Sequence, residues 1–432
     1  MNYSLLIVLA ILASIAIGYK TKLNVGLIAL VFAYAIGVFG MGNKPSDIMK
    51  MWPSTMFFVL VFVPMFYKFI NRNGALEQLA MIIVHKFRKN VAVLPFVLFG
   101  CALLMAALGS GNDVTLSLLM PTAFMIALKV GMSPAIAIIA VSAGATTGNR
   151  FVISVGGSIA RELISSLGYE SEAYSWVLTI FICFVIYSIL LLILAALATK
   201  SFKRKADAIE MEKPEPLNKD QKLTLKLILV TAILILIPLF GKFLFPNSAF
   251  FKYVGNKADI SFIALLMVLV AVLLKVGSVK EIVKCVPWNT VIMVCGVGVL
   301  VSLGVKAGMV DTLANWINGN ISTFLIPGVI CLIAGFMSFF SSTNGVVLPT
   351  LYPLVPSIAE GSGLSPVVLF AAILMGAIAT GISPFSTGGG LSLAACPDEE
   401  TREPVTKILL VLPVFQLVCA TLFAMVLPLF LH

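Results

Sequence analysis

The chain contains one segment twice. Residues 110–158 and 342–390 align without a gap at an offset of 232 positions, and 17 of the 49 aligned positions are identical. The identical pairs include Asn112/Asn344, Pro121/Pro353, Ser154/Ser386 and Gly156/Gly388. Shared apolar composition would give only a handful of matches and would not favour polar or glycine positions. The repeat therefore predicts a protein built from two similar halves.

The sequence around the repeat is apolar enough to require lipid as its main solvent. Hydrophobic residues make up 60% of the 432 positions, charged residues make up 11%, and the mean hydropathy is +1.08. A helix needs about 20 residues to cross the hydrocarbon layer. Runs that reach or approach this length lie near 3–19, 23–41, 54–70, 174–199, 223–244, 259–276, 288–306 and 405–431. We therefore expect an all-α, multi-pass protein of the cell inner (plasma) membrane, whose first run is a mature helix and not a signal peptide.

The placement of the basic residues predicts how the chain threads the membrane. In one consistent threading, 21 of the 29 lysines and arginines lie on one side, 7 lie on the other, and Arg150 lies within a span. The positive-inside rule makes the richer side cytoplasmic and both termini non-cytoplasmic. Nucleic acid is the competing partner for a chain of net charge +10, but no basic stretch carries interleaved aromatic residues. We therefore expect a lipid bilayer and no nucleic acid.

Four shorter apolar stretches predict two re-entrant hairpins. They lie near 91–109, 114–130, 323–340 and 346–359, and they end at small polar tips instead of charged loops. The charge count balances only if both arms of each hairpin end on the same side. Small polar residues also suit a backbone that turns inside protein and not in lipid.

These spans define the predicted domains. Residues 1–200 form a first repeat with a cytoplasmic-side hairpin at about 91–130, and residues 201–222 form a cytoplasmic linker. Residues 223–432 form a second repeat with a hairpin from the opposite side at about 323–360. Each half has five spans, an odd number, so the second half runs in the opposite direction. The expected fold is two inverted-topology repeats of five transmembrane helices, each with a re-entrant hairpin and a broken helix.

The hairpin tips are candidate ion sites. One helix ends and another begins at each tip, so carbonyl groups face a cation while free N–H groups face an anion. Hydroxyl and amide oxygens add neutral ligands suited to Na⁺, although the same side chains could simply cap the helices. The predicted cation ligands are Ser110, Asn112, Asp113, Gly156, Ser341, Asn344 and Ser386.

Glycine-rich breaks follow both hairpins and supply the remaining candidates. Glycines, and Pro384 in the second copy, interrupt a helix and free backbone groups in mid-membrane. The alternative is a kink or a close contact between small residues. The predicted substrate ligands are Ser110, Asn112, Ser342, Thr343, Asn344, Ser386, Thr387 and Arg150.

Arg150 and Asp113 break the symmetry of the repeat, since their partners are Ile382 and Gly345. A charged side chain at membrane depth is costly unless it is paired or faces water, so each is a functional candidate. Arg150 could grip a substrate carboxylate through two hydrogen bonds. Asp113 could bind a cation or carry a proton, or the two residues could form an internal ion pair.

The sequence contains no enzyme signature. It has no Walker A, GxSxG or HExxH motif, and its seven cysteines and two histidines lack metal-ligand spacing. We expect no enzyme, no cofactor and no metal beyond Na⁺, with Na⁺ or H⁺ as the coupling ion.

The tips and breaks resemble the ion transporter superfamily, and within it the divalent anion–sodium symporters and the dicarboxylate (malonate-type) carriers. The hallmark of these carriers is a pair of Ser-Asn-Thr tips, each followed by a small-residue break. Here the tips read SGND from Ser110 and STNG from Ser342. Both asparagines match, but neither tip has the exact Ser-Asn-Thr sequence. The second break, GISPFSTG from Gly381, follows the carrier pattern, whereas the first departs from it. The resemblance implies a homodimer with an outer scaffold, a mobile domain containing both hairpins and an elevator-like movement of a bound dicarboxylate.

The predicted function is uptake of small C3 or C4 di- or tricarboxylates by cation symport, with Na⁺ as the expected cation. The alternative is a Na⁺/H⁺ antiporter or inorganic-anion carrier of the same superfamily, with Asp113 as the titrating group. A channel is a third reading, and saturable uptake with counterflow would exclude it.

Overall fold

The computed structural model describes residues 3–90, 92–199, 212–245, 247–276, 279–384 and 386–431. These residues form helices and connecting turns, with no strand among them. The helices before the linker are α1 (Tyr3–Thr21), α2 (Val25–Tyr34), α3 (Pro45–Met49), α4 (Ser54–Ile70), α5 (Ala75–Phe87), α6 (Leu94–Met105), α7 (Gly111–Lys129), α8 (Pro134–Gly148), α9 (Val155–Ser166) and α10 (Ala173–Ala198). Residues 201–211 of the predicted linker lie outside the described residues.

The second half presents its elements in a similar order. Its helices are α11 (Lys219–Leu244), α12 (Ala249–Lys257), α13 (Ile260–Leu273), α14 (Val279–Ile282), α15 (Trp288–Lys306), α16 (Met309–Asn320), α17 (Ile326–Phe340), α18 (Leu348–Leu351), α19 (Val355–Ser362), α20 (Pro366–Ala379), α21 (Thr387–Ala394) and α22 (Glu399–Val426). In each half, three long helices precede a short helix, a pair of arms, a broken helix and a final long helix. The two copies of the repeated segment therefore form equivalent elements.

The helices are long and apolar enough to cross a membrane several times. Seven helices of the described residues meet this test, or up to nine if each of two bent pairs is one span. Shorter apolar helices cover Val25–Gly40, Pro134–Gly148 and Pro366–Ala379. Large apolar side chains such as Phe39, Leu273 and Phe430 are exposed, as expected for surface that faces lipid. The prediction of an all-α, multi-pass membrane protein is confirmed, while the opposite orientation of the two halves stays a prediction.

Both predicted hairpins fold back on themselves. In the second, α17 and the stretch Thr343–Ser362 are bent by 119°. In the first, α6 and α7 pack against each other and both pack against α8. Gly109 permits this reversal, because its φ of +104° is strained for other residues and a Cβ at this position would overlap the Tyr67 ring.

The packing separates an outer group of helices from an inner one. In the outer group, α2 packs against α15 and α4 packs against α13. In the inner group, each hairpin packs against the broken helix that follows it, and α10 and α22 pack against the broken helices. The inner group meets the outer one where α4 contacts α9 and where α15 contacts the second tip, and the helices α5 and α16 pack against the hairpin arms α6 and α19.

The same glycine contact joins hairpin to broken helix in both halves. Gly144 of α8 lies against the carbonyl oxygen of Phe99, and Gly376 of α20 lies against the carbonyl oxygen of Cys331. These two contacts are related by the repeat offset of 232 positions. A side chain at either glycine would overlap a backbone atom, so the close approach of the helices explains why both positions are glycine.

We expect Gly376→Ala to lower the melting temperature of the purified protein by several degrees. Its new methyl group would meet the fixed Cys331 carbonyl, and overpacking of this kind costs about 1–3 kcal/mol. Gly390→Ala is the matched control, because a Cβ there has no heavy atom within 4 Å. Equal melting temperatures for the two variants would contradict the proposed contact.

Candidate functional site

The second tip begins with a capped turn. Ser342 Oγ accepts a hydrogen bond from the Gly345 N–H at 3.1 Å, so the capping interpretation describes this residue. Ser341 Oγ donates to the Met337 carbonyl at 2.6 Å, one turn back in α17. Both serines are therefore engaged with the hairpin's own backbone.

The Thr343 hydroxyl ties this tip to the broken helix. Its Oγ1 donates to the Ala377 carbonyl of α20 at 3.1 Å and lies 2.9 Å from Ser338 Oγ. Three hydroxyls thus hold the turn. The side chain of Asn344 is left to reach the other half of the protein.

The first tip is less fully bonded. Ser110 is buried, and its Oγ accepts a long hydrogen bond from Asn71 Nδ2 at 3.4 Å. Asn112 Nδ2 donates to the exposed Asp113 carboxylate at 3.1 Å. Asn112 Oδ1 is buried and has no hydrogen-bond partner in the described part of the chain. An unpaired buried amide oxygen is costly, so this atom is a candidate ligand for a cation.

Sequence reasoning missed the neighbourhood of Ser110. Asn71 Nδ2 also donates to Glu77 Oε1 at 3.2 Å, which links a carboxylate of α5 to the first tip. Burial raises the pKa of Glu77, although hydrogen bonds from its own backbone and from Asn71 act in the opposite direction. No spacing in the sequence connects Glu77 with residue 110.

The serines of the two breaks cap the helices that follow. Ser154 Oγ accepts from the Gly157 N–H at 3.2 Å, and Ser386 Oγ accepts from the Gly389 N–H at 3.2 Å. Equivalent residues therefore perform equivalent local roles in the two copies. Thr387, the next predicted ligand, is exposed.

The first break is also held by an asparagine. The Gly156 N–H, at a predicted cation-binding position, donates to Asn149 Oδ1 at 3.2 Å. This bond folds the break back over its own helix start and presents the adjacent Arg150 to the second hairpin.

Arg150 joins the two halves. Its side chain is 5% exposed, and its Nη1 donates to Asn344 Oδ1 at 2.7 Å. Its Nε is buried and has no partner among the described residues. No ion pair within 4.0 Å joins it to Asp113 in that same part of the chain. The guanidinium is thus anchored at one nitrogen and retains donors that a carboxylate could use.

A small cavity, whose lining is mostly apolar with several polar residues, lies beside the first tip. Its volume is about 30 Å³, room for roughly one or two water-sized groups. Its lining includes Asn112 together with polar groups on α8, α10, α22 and the second break, namely Ser142, Thr146, Ser188, Gln416 and Gly381. Sequence reasoning missed most of these residues. Of these residues, only Gln416 could have been identified from the sequence, because its polar amide lies within a long apolar run. The structure buries this side chain.

The predicted residues therefore meet across the halves. Asn344 of the second tip contacts Arg150 of the first break, and Asn112 of the first tip shares a cavity with Gly381 and Ile382 of the second break. The geometry resembles a crossed pair, in which each tip faces the break of the other half.

Two family models match this chain. Residues 1–149 match the N-terminus of the dicarboxylate carrier protein MatC, and residues 255–431 match a citrate transporter model. Each model covers less than half of the chain, so these two segments are similar to a dicarboxylate carrier protein and to a citrate transporter, respectively. No curated protein matches its sequence.

The chain also shares its fold with solved structures of two transporters. MtrF of Neisseria gonorrhoeae, described as one of a class of antimetabolite efflux pumps, has 13% identity and a TM-score of 0.60, covering 92% of this chain and 86% of MtrF. The YdaH transporter of Alcanivorax borkumensis has 14% identity and a TM-score of 0.53, covering 89% of this chain and 87% of YdaH. The predicted resemblance to dicarboxylate carriers and the multi-pass membrane class are confirmed, and the matched proteins are transporters and not enzymes.

Proposed function

We propose that the carrier takes up small C3 or C4 di- or tricarboxylates by Na⁺ symport across the cell inner membrane. The observation that carries the proposal is the buried guanidinium of Arg150, fixed to Asn344 at 2.7 Å with its Nε unpartnered by described residues. A carboxylate can accept two hydrogen bonds from the free edge of such a guanidinium. Bound Na⁺ at the tips would offset the rest of the substrate's negative charge.

The substrate would lie where the hairpin tips meet the breaks. One carboxylate would contact Arg150, and the exposed Thr387 and the capping serines 342 and 386 would supply further contacts. Helix starts at these serines present N–H groups, which favour anions. A dicarboxylate bridging both halves would use the crossed arrangement of tips and breaks.

Alternating access would move the inner group of helices against the outer one. The hairpins and broken helices pack together, and they meet the outer group at α4 and α15. An elevator-like movement of this inner group, in a homodimer whose outer helices form the scaffold, would carry the site between the two faces.

The test is uptake into proteoliposomes that contain only the purified carrier. We expect saturable accumulation of labelled malonate or succinate that requires an inward Na⁺ gradient. Accumulation that persists equally in choline would contradict Na⁺ coupling. Exchange of Na⁺ for protons without any organic anion would favour the antiporter alternative instead.

A further inference from the structure

The repeat gives the carrier two equivalent asparagines with unequal surroundings. Asn112 and Asn344 occupy the same aligned position, and each lies at a hairpin tip opposite the break of the other half. The residues that face them from those breaks are also aligned, and they are Ile382 and Arg150. An apolar side chain at one tip is thus replaced by a cation at the other.

The two amide oxygens differ accordingly. Asn344 Oδ1 accepts a charge-assisted hydrogen bond from Arg150 Nη1. Asn112 Oδ1 is buried and has no partner in the described ranges, and Asn112 borders a cavity whose lining also includes the polar residues Ser142, Thr146 and Gln416. A small cation is the group that best fits a buried, uncompensated oxygen next to neutral oxygen ligands.

The charge of Arg150 is not cancelled by the protein. In the described residues, the carboxylates that form ion pairs within 4.0 Å pair with other basic side chains. The second tip therefore holds one net positive charge. A monovalent cation bound to Asn344 would supply the same charge at the same oxygen.

We infer that Arg150 is a built-in cation that takes the place of a coupling ion at the second tip. The carrier then has one exchangeable Na⁺ site, at Asn112, and the guanidinium permanently occupies its counterpart. This inference rests on the proposed Na⁺ symport and specifies its ion count. Each transport cycle moves one Na⁺ fewer than a symmetric pair of tips would move.

Equilibrium binding of ²²Na⁺ to the purified full-length carrier tests the count. We expect the wild type to saturate at one Na⁺ per chain. Asn112→Ala should lose this binding, whereas Asn344→Ala should keep it. Arg150→Ser, which removes the charge and leaves room at the second tip, should bind two Na⁺, and Arg150→Lys should still bind one.

Na⁺ binding to the wild type and to the two asparagine variants tests the inference even if Arg150→Ser does not fold. Two Na⁺ per wild-type chain, or loss of binding in Asn344→Ala with retention in Asn112→Ala, would overturn the inference and leave Na⁺ symport intact. No Na⁺ binding, together with substrate uptake in choline, would reject both the inference and the Na⁺ coupling on which it rests.

Discussion

Arg150→Met is expected to raise the KM for dicarboxylate uptake about 100-fold or more while the protein still folds. Removing one member of a buried, hydrogen-bonded charge pair costs about 2–5 kcal/mol of binding energy, and each 1.4 kcal/mol is about tenfold in affinity. Methionine replaces the aliphatic part of the side chain without its charged group and tolerates irregular apolar surroundings. Uptake kinetics in proteoliposomes, together with the melting temperature of the purified variant, provide the measurement.

Arg161 offers a matched control for this substitution. It is a second buried arginine, and among the described residues its hydrogen bond goes to Tyr174 and its ion pair to Glu162. Arg161→Gln should therefore leave the KM within a few-fold of the wild type. A variant at Arg150 that transports normally but melts at a much lower temperature would assign Arg150 a purely structural role.

Asn344→Asp is expected to be as damaging to uptake as the loss of Arg150. The aspartate would accept the same hydrogen bond from Nη1, but it would add a negative charge 2.7 Å from the guanidinium in a buried site. The resulting internal ion pair would cancel the charge that attracts the substrate carboxylate. We expect the KM to rise by about 100-fold or more, with little loss of thermal stability.

The control places the same charge elsewhere on the protein. Asn320 is exposed at the end of α16, where its side chain bonds to the Trp316 carbonyl. Asn320→Asp should leave uptake unchanged. If Asn344→Asp also transported with an unchanged KM, the positive charge at the second tip would have no part in anion binding.

The sequence predicted the order of helices well because lipid imposes simple rules. Apolar runs of sufficient length form helices, and small polar interruptions mark places where the backbone turns inside protein. The predicted hairpins at about 91–130 and 323–360 correspond to helical arms at 94–129 and 326–362. In the sequence, Gly144 and Gly376 were only a pair of identical aligned residues. Their close helix contacts could not be predicted, because a glycine in a sequence does not show which atoms lie next to it.

The sequence predicted which residues belong to the site, but it did not predict which of them contact each other. The repeat singled out Asn112, Asn344 and Arg150, but it left open whether Arg150 pairs with Asp113. The observed bond from Arg150 to Asn344 crosses 194 positions of sequence and depends on how the two halves interlock. Glu77 and Gln416 were missed for the same reason, since their partners come from other helices.

The central claim is that a carboxylate binds to Arg150 where the second tip meets the first break. The most direct measurement is a crystal structure of the carrier with Na⁺ and 2-bromosuccinate, in which anomalous scattering locates the bromine. We predict a bromine peak beside the Arg150 guanidinium, with a carboxylate hydrogen-bonded to its Nε. A peak elsewhere in the protein, with that nitrogen still unpartnered, would contradict the claim.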